Sequence, residues 1–120
     1  TKKFINSLKI KLNKRIKLIE PTNYINFLTL IKNSKLIITD SGGIQEESCV
    51  MKVPTITLRT STERQETLII GTNILSEYDS KSLIKNIKKI LNRKINWRSP
   101  YGKGKASINI FKILKKLKKI

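Results

Sequence analysis

Short, continuous apolar runs that alternate with amphipathic segments constrain the fold of this chain more than any other feature. Residues 36–39 and 53–58 are apolar or β-branched almost throughout, as is typical of strands that helices cover on both faces. Similar runs at 16–19 and 73–75 bring the predicted sheet to about four strands. Helical patterns lie between them, and this alternation favours a single α/β domain over 1–120, with a parallel sheet and helices on both faces.

The helices are predicted from the 3.6-residue spacing of apolar side chains. Thr22 is the predicted cap of the second helix, Ser61 or Thr62 that of the fourth, and Asp79 or Ser80 that of the fifth. Gly71 is the predicted stop of the fourth helix. The predicted helical segments are 2–13, the segment after Thr22, 44–51, the segment from about 62 to Gly71, the segment after Asp79, and 106–120, with a loop over 93–105.

Composition excludes several classes of protein. The chain has 120 residues, no His and one Cys, which excludes imidazole chemistry, an internal disulfide and a multi-cysteine zinc site within it. Cys49 is expected to be buried, since free Cys is among the most buried residue types. No apolar run approaches the roughly 20 residues of a membrane span, and the N-terminal residues do not resemble a signal peptide. We therefore expect no metal ion, no cofactor and a cytoplasmic location.

The strong positive charge suggests a nucleic-acid partner but has a second explanation. Lys and Arg total 26 against 8 acidic residues, a net charge of +18, which is the usual electrostatic signature of a nucleic-acid-binding surface. However, 21 Lys, 21 Ile and 10 Asn together make up 52 of the 120 residues, and these three share A- and T-rich codons. Selection for phosphate contacts gives no reason to enrich Ile. The composition thus favours solvated lysine faces, with a basic nucleic-acid-binding module as the alternative.

The turn after the 36–39 strand is the strongest candidate for a binding site. It reads Asp40-Ser41-Gly42-Gly43 and opens a helix. Ligands of parallel sheets bind beyond the carboxyl ends of the strands, and free N–H groups at a helix N-terminus favour phosphate. Glycines let a ligand approach the backbone, and the Ser41 hydroxyl can donate to the same anion.

Two acidic residues follow one turn further along. Glu46 or Glu47 can accept hydrogen bonds from a vicinal diol, as an acidic residue does for ribose, so the segment fits a nucleotide site. It fits equally a plain turn whose acidic residues complement the helix dipole. Residues 58–64 follow the next strand, and Arg59 and Arg64 could neutralise a diphosphate there; a capped helix start is again the alternative.

Taken together, these motifs resemble the C-terminal part of the non-hydrolysing UDP-N-acetylglucosamine 2-epimerases. The order and spacing agree across nearly the whole chain. The matching residues are Ile19-Glu20-Pro21, Tyr24, Phe27, Thr39 to Glu47, Pro54, Leu58-Arg59, Thr62-Glu63-Arg64, Glu66, Gly71-Thr72-Asn73, Pro100-Tyr101-Gly102, Gly104 and Ala106.

The resemblance implies the fold and the reaction. Members of this family have two Rossmann-like domains in the glycosyltransferase-B arrangement. They interconvert UDP-N-acetylglucosamine and UDP-N-acetylmannosamine by eliminating UDP and adding it back. This chain would be the UDP-binding domain of a homodimeric enzyme, with its last helix, about 105–120, packing towards an N-terminal domain. A donor-nucleotide domain of a glycosyltransferase of the same architecture is the alternative.

The resemblance also implies the roles of individual residues. Ser41, Gly42 and Gly43 would hold the diphosphate, Glu47 would take the ribose hydroxyls, and Phe27 would lie beside the uracil. Arg64 would stabilise charge on the departing UDP. The acid and base groups of the family belong to the N-terminal domain, so the chain alone is expected to be inactive.

Three positions depart from the family pattern. Lys52 stands where a Gly is usual, Gln65 replaces a Pro, and Lys103 replaces an acidic residue. All three are predicted to lie at turns, so they affect local geometry rather than the nucleotide site.

Overall fold

The computed structural model describes residues 2–8, 11–94 and 96–117. In this part of the chain the helices are α1 (Lys2–Ser7), α2 (Tyr24–Lys32), α3 (Gly42–Val50), α4 (Gln65–Ile69), α5 (Ser80–Leu91) and α6 (Ala106–Leu117). The strands are β1 (Ile37–Thr39), β2 (Thr55–Thr57) and β3 (Asn73–Leu75).

The described strands form one parallel sheet in the order β1-β2-β3. Ile38 pairs with Ile56, and Ile56 pairs with Ile74. Every residue of β2 is buried, and successive strand residues point to opposite faces, so both faces of the central strand are covered. The predicted parallel α/β sheet is therefore confirmed.

The crossover helices bring the three strand ends to one edge. Helix α3 connects β1 to β2 and contacts both, α4 connects β2 to β3, and α3 contacts α4. Right-handed crossovers between parallel strands in sequential order place α3 and α4 on the same face. Helix α5 contacts β2 and β3. The residues that follow the three strands, beginning at Asp40, Leu58 and Ser76, consequently share one edge of the sheet.

The predicted strand at 16–19 is wrong. These residues form no strand among those that the structure describes, and the side chains of Ile16, Leu18 and Ile19 are 53%, 43% and 63% exposed. An apolar run has the propensity for a strand, but it becomes one only where a neighbouring strand pairs with its backbone. The described sheet thus has three strands rather than about four.

The first helix is shorter than predicted. It ends at Ser7 rather than at residue 13; residues 9 and 10 of the predicted helix lie outside the described part. The Asn13 side chain accepts a 3.0 Å hydrogen bond from the Arg15 N–H. Such local bonding by Asn competes with helix continuation.

Two of the predicted caps are also wrong. Asn23, rather than Thr22, caps α2 and accepts a 2.9 Å hydrogen bond from the Asn26 N–H, because the cap must immediately precede the first helical residue. Neither Ser61 nor Thr62 caps α4, which begins only at Gln65. The Asp79 cap of α5 is confirmed by its 2.8 Å bond from the Ser82 N–H.

The loop after α5 is anchored on the core. The Trp97 indole donates a 3.0 Å hydrogen bond to the Cys49 carbonyl, and the Cys49 side chain is buried as predicted. Helix α6 follows this loop with its whole described length exposed, including the apolar residues Ile110 and Leu114. Residues 118–120 of the predicted last helix lie outside the described part.

Candidate functional site

The turn after β1 presents a helix N-terminus at the carboxyl edge of the sheet. Ser41 is the N-cap residue of α3, with extended backbone angles of φ −85° and ψ 128°. Its N–H donates a 3.1 Å hydrogen bond to the Thr39 hydroxyl, which fixes the turn. The Ser41 hydroxyl makes no capping bond within the described chain. The hydroxyl and the free N–H groups of the first turn therefore lie together, as an anion site requires.

The two glycines of the turn differ in their surroundings. A Cβ on Gly42 would lie 2.6 Å from Oε1 of Glu63 and 3.7 Å from Nη2 of Arg64. A Cβ on Gly43 would meet only the Ser41 hydroxyl oxygen, at 4.0 Å, among the described atoms. Only Gly42 allows the loop after β2 to come this close to the start of α3.

Arg64 is brought to this turn but already has acidic neighbours. Its Nε pairs with Oε1 of Glu46, and its Nη1 lies 4.0 Å from Oε1 of Glu63. Arg59 instead pairs with Oε2 of Glu63 at 3.3 Å. Both arginines thus lie at the predicted edge, and a bound anion would compete with these carboxylates.

The pKa of the Glu63 carboxyl group is lowered. The largest cause is a hydrogen bond from its own backbone, which lowers the pKa; burial opposes it, and the positive charges of Arg59 and then Arg64 lower the pKa further. Glu63 is therefore a carboxylate at neutral pH. It places negative charge directly over Gly42.

Glu47 lies further along α3, where it lines a cavity of about 330 Å³. The other lining residues described are Tyr24, Leu28, Glu46, Val50, Met51 and Tyr101. The Glu47 carboxylate raises the pKa of Tyr24, first as a hydrogen-bond acceptor and then by its charge. Phe27 lies half-buried on α2 and is not among the lining residues described for this cavity. The structure thus brings together Ser41, Gly42, Gly43 and Arg64, with Glu47 further along the same helix and Phe27 on the neighbouring one.

A buried polar network beneath the turn was not predicted from the sequence. The amide oxygen of Gln45 accepts hydrogen bonds from the Thr62 hydroxyl at 2.7 Å and from the Asn73 amide at 3.1 Å. The Asn73 oxygen accepts from the Thr57 hydroxyl at 2.9 Å. The available signal was the presence of Thr57 and Asn73 in short strands that were predicted to be covered by helices, where a buried polar group needs a partner.

Metal binding and membrane insertion find no support in the described residues. No three His, Cys, Asp or Glu side chains of this part lie close enough together to hold a metal ion. The helices described there are also too short or too polar to cross a bilayer.

The fold and this edge define a Rossmann-like α/β domain. A family model described as UDP-N-acetylglucosamine 2-epimerase matches residues 1–115. The chain belongs to this family.

Curated relatives share this name. The chain is 54% identical over 106 residues to UDP-N-acetylglucosamine 2-epimerase of Methanocaldococcus jannaschii, covering 88% of the chain and 29% of that relative. It is 34% identical over 108 residues to the enzyme of that name from Escherichia coli K12, and the match covers 85% of this chain and 29% of that relative. The chain therefore spans less than a third of the length of these relatives.

Solved structures of the family have the same fold. The crystal structure of the M. jannaschii enzyme in complex with UDP-GlcNAc and UDP matches with a TM-score of 0.83 and 52% identity, over 95% of this chain and 32% of that one. The Neisseria meningitidis enzyme bound to UDP-GlcNAc matches with a TM-score of 0.72 and 36% identity, over 82% of this chain and 28% of that one. The chain thus corresponds to part of a larger, two-domain enzyme of the glycosyltransferase-B type.

Proposed function

We propose that this chain is the UDP-binding part of a UDP-N-acetylglucosamine 2-epimerase. The observation that carries the proposal is the convergence of the Ser41–Gly43 turn and Arg64 at the start of α3. Relatives whose structures match this part of the chain are described with UDP or UDP-GlcNAc bound.

The turn would hold the diphosphate. The free N–H groups at the start of α3 and the Ser41 hydroxyl supply donors, and the helix dipole adds positive potential. Gly42 and Gly43 keep side chains out of the approach to these donors. The diphosphate would displace the Glu63 carboxylate, which now lies over Gly42, and would compete with Glu46 for the Arg64 guanidinium.

The nucleoside would extend along α3. Glu47, about one turn and a half beyond the turn, would accept hydrogen bonds from the two ribose hydroxyls. The cavity beside Glu47 is large enough for a sugar ring. Phe27, on the neighbouring helix α2, would lie beside the uracil.

Arg64 would contribute to the chemical step. Elimination removes the proton on C2 to a base of the N-terminal domain, forms a C1=C2 double bond, and breaks the bond between the anomeric carbon and the β-phosphate oxygen, whose electron pair leaves with UDP. A guanidinium held beside that oxygen stabilises the developing charge, and donors of this kind contribute several kcal/mol. The same contact would retain UDP until it is added back to the other face of the sugar.

The proton-transfer groups of the reaction must come from elsewhere in the enzyme. The chain contains no His, and two of the acidic residues near the turn, Glu46 and Glu63, are paired with arginines. We propose that the proton-transfer groups come from an N-terminal domain towards which α6 packs, that the whole enzyme is a homodimer, and that it acts in the cytoplasm, where the free Cys49 would stay reduced.

Calorimetric titration with UDP and 2′-deoxy-UDP tests this proposal. We expect saturable one-to-one binding of UDP, weaker binding of 2′-deoxy-UDP, and loss of that discrimination in Glu47→Ala. Ser41→Ala should weaken both ligands equally. Glu77→Ala, which removes an exposed acidic residue after β3, is the control for the change in net charge. Absence of UDP binding by the folded chain would overturn the proposal, as would full ribose discrimination in Glu47→Ala.

A further inference from the structure

We propose that Gln45 is a positioning residue that holds Arg64 at the start of α3, through a closed ring of buried hydrogen bonds. The inference rests on the proposed function, because it assigns to Arg64 the diphosphate of UDP. It concerns Gln45 itself, which lies beneath the turn and away from the proposed ligand.

The ring encloses the backbone of Arg64. The Thr62 hydroxyl donates to Gln45 at 2.7 Å and accepts from the Arg64 N–H at 3.1 Å. The Arg64 carbonyl accepts from the Thr67 hydroxyl at 2.7 Å. The Thr67 hydroxyl accepts from the Asn73 amide at 3.2 Å, and the same amide donates to Gln45 at 3.1 Å. Both sides of the Arg64 backbone are therefore tied to one amide oxygen.

Gln45 also connects this ring to the turn itself. Its side-chain amide donates a 3.3 Å hydrogen bond to the Ser41 carbonyl. One side chain thus joins the residue before Gly42 to the backbone of Arg64. The distance between the Ser41–Gly43 turn and Arg64 is set by this connection.

Burial makes the ring rigid. Gln45, Thr62, Thr67 and Asn73 are at most 5% exposed. Water cannot replace a partner that moves, so each bond is costly to break. The Arg64 side chain, by contrast, is 30% exposed and pairs with a partly exposed Glu46. The backbone of Arg64 is fixed while its guanidinium stays available to a ligand.

A measurement without ligand tests the positioning. Gln45→Met keeps the length of the side chain but removes both the amide donor and the amide acceptor. None of the described hydrogen bonds of the Gln45 side chain is made directly to Arg64, so any effect on Arg64 passes through the ring. We expect amide hydrogen exchange at Arg64 and Thr67 to become about fivefold to tenfold faster, relative to amides of α5. Thr55→Val, a buried threonine of β2 outside the ring, is the control for a general loss of stability. Unchanged exchange at Arg64 in the folded variant would overturn the proposal.

A double-mutant cycle with UDP tests the consequence for binding. Gln45→Met should weaken UDP binding about fivefold in the wild-type chain and have no further effect in Arg64→Ala, because Gln45 acts through Arg64. Equal weakening in both backgrounds would show a merely structural role and overturn the proposal. Thr62→Val, which removes another member of the ring, serves if Gln45→Met does not fold.

The two proposals fail in different ways. A wild-type chain that does not bind UDP overturns the proposed function, while the exchange measurement still decides whether Gln45 positions Arg64. If the wild-type chain binds UDP, and Gln45→Met changes neither that affinity nor the hydrogen exchange at Arg64, only the proposed role of Gln45 is overturned.

Discussion

The carboxylate of Glu63 lies directly over Gly42, with Oε1 2.6 Å from the position that a Cβ on Gly42 would take. A negatively charged group thus already occupies the space at the start of α3. Arg59 and Arg64 lie on either side of this carboxylate. The same space, with the same neighbours, is where we propose that the diphosphate binds.

Gly42→Ala tests how closely a ligand must approach. The new methyl group would fill the approach to the turn, so we expect UDP binding to weaken about tenfold. The atom it displaces is the end of a flexible side chain, so the free energy of unfolding should change by less than about 1 kcal/mol. Titration with UDP and urea denaturation measure the two effects. A variant that binds UDP as the wild type does would show that the diphosphate lies elsewhere.

Glu46→Gln should tighten UDP binding. The substitution releases Arg64 from its carboxylate partner and removes a negative charge near the diphosphate. We expect about threefold tighter binding, since partly exposed ion pairs contribute up to roughly 1 kcal/mol. Glu77→Gln makes the same change in net charge at the end of β3 and should have a smaller effect. Weaker binding in Glu46→Gln would mean that Glu46 contacts the ligand or orients Arg64 for it.

Lys52→Gly should stabilise the chain. Lys52 has a φ of 62°, in the left-handed region that costs a residue with a Cβ roughly 1–2 kcal/mol. Glycine avoids this cost but loses more chain entropy, so we expect a net gain of about 0.5–1 kcal/mol in urea denaturation. Gly102→Ala is the reverse control, because Gly102 has a φ of 76° and no described atom within 4 Å of a Cβ there; it should destabilise. An unchanged or lower stability of Lys52→Gly would contradict this explanation.

Tyr101 should make stability fall at alkaline pH. Burial and then the neighbouring Glu66, with a smaller effect of Glu46, raise the pKa of Tyr101. The native state therefore keeps the phenol proton where the unfolded chain loses it. Its contribution is complete below the usual tyrosine pKa of about 10 and decreases as the pH rises beyond it.

Tyr101→Phe removes this titration. The free energy of unfolding of the variant should decline less steeply than that of the wild type above about pH 10. The exposed Tyr78 offers the control substitution Tyr78→Phe. Parallel pH profiles of Tyr101→Phe and the wild type would contradict this role of Tyr101.

The sequence predicted three of the strands correctly, but it could not show which apolar runs find a partner strand. The runs at 36–39, 53–58 and 73–75 contain the strands Ile37–Thr39, Thr55–Thr57 and Asn73–Leu75, whose backbones pair with one another. The run at 16–19 has similar propensity but pairs with none of the described strands, and no local pattern distinguishes these two outcomes. The start of α2 differed for a similarly local reason, since Asn23, one residue after Thr22, forms the side-chain bond that caps the helix.

The part of the candidate site that consists of neighbouring residues in the chain was predictable from the sequence. The Ser41–Gly43 turn follows a strand and opens a helix, and that could be read from residue types alone. The pairing of Arg64 with Glu46, and the ring through Gln45 and Asn73, join residues far apart in the chain. Such contacts follow from the packing of α3 against the loop after β2, which propensities do not encode.

The most direct test of the central claim is an NMR titration of the uniformly ¹⁵N-labelled chain with UDP. We expect the largest shifts at the amides of Gly42 and Gly43 and at Nε of Arg64, with smaller changes near Glu47. Shifts spread over the lysine-rich face of α5, with an unchanged turn, would contradict it and point to non-specific binding of anions by a basic surface.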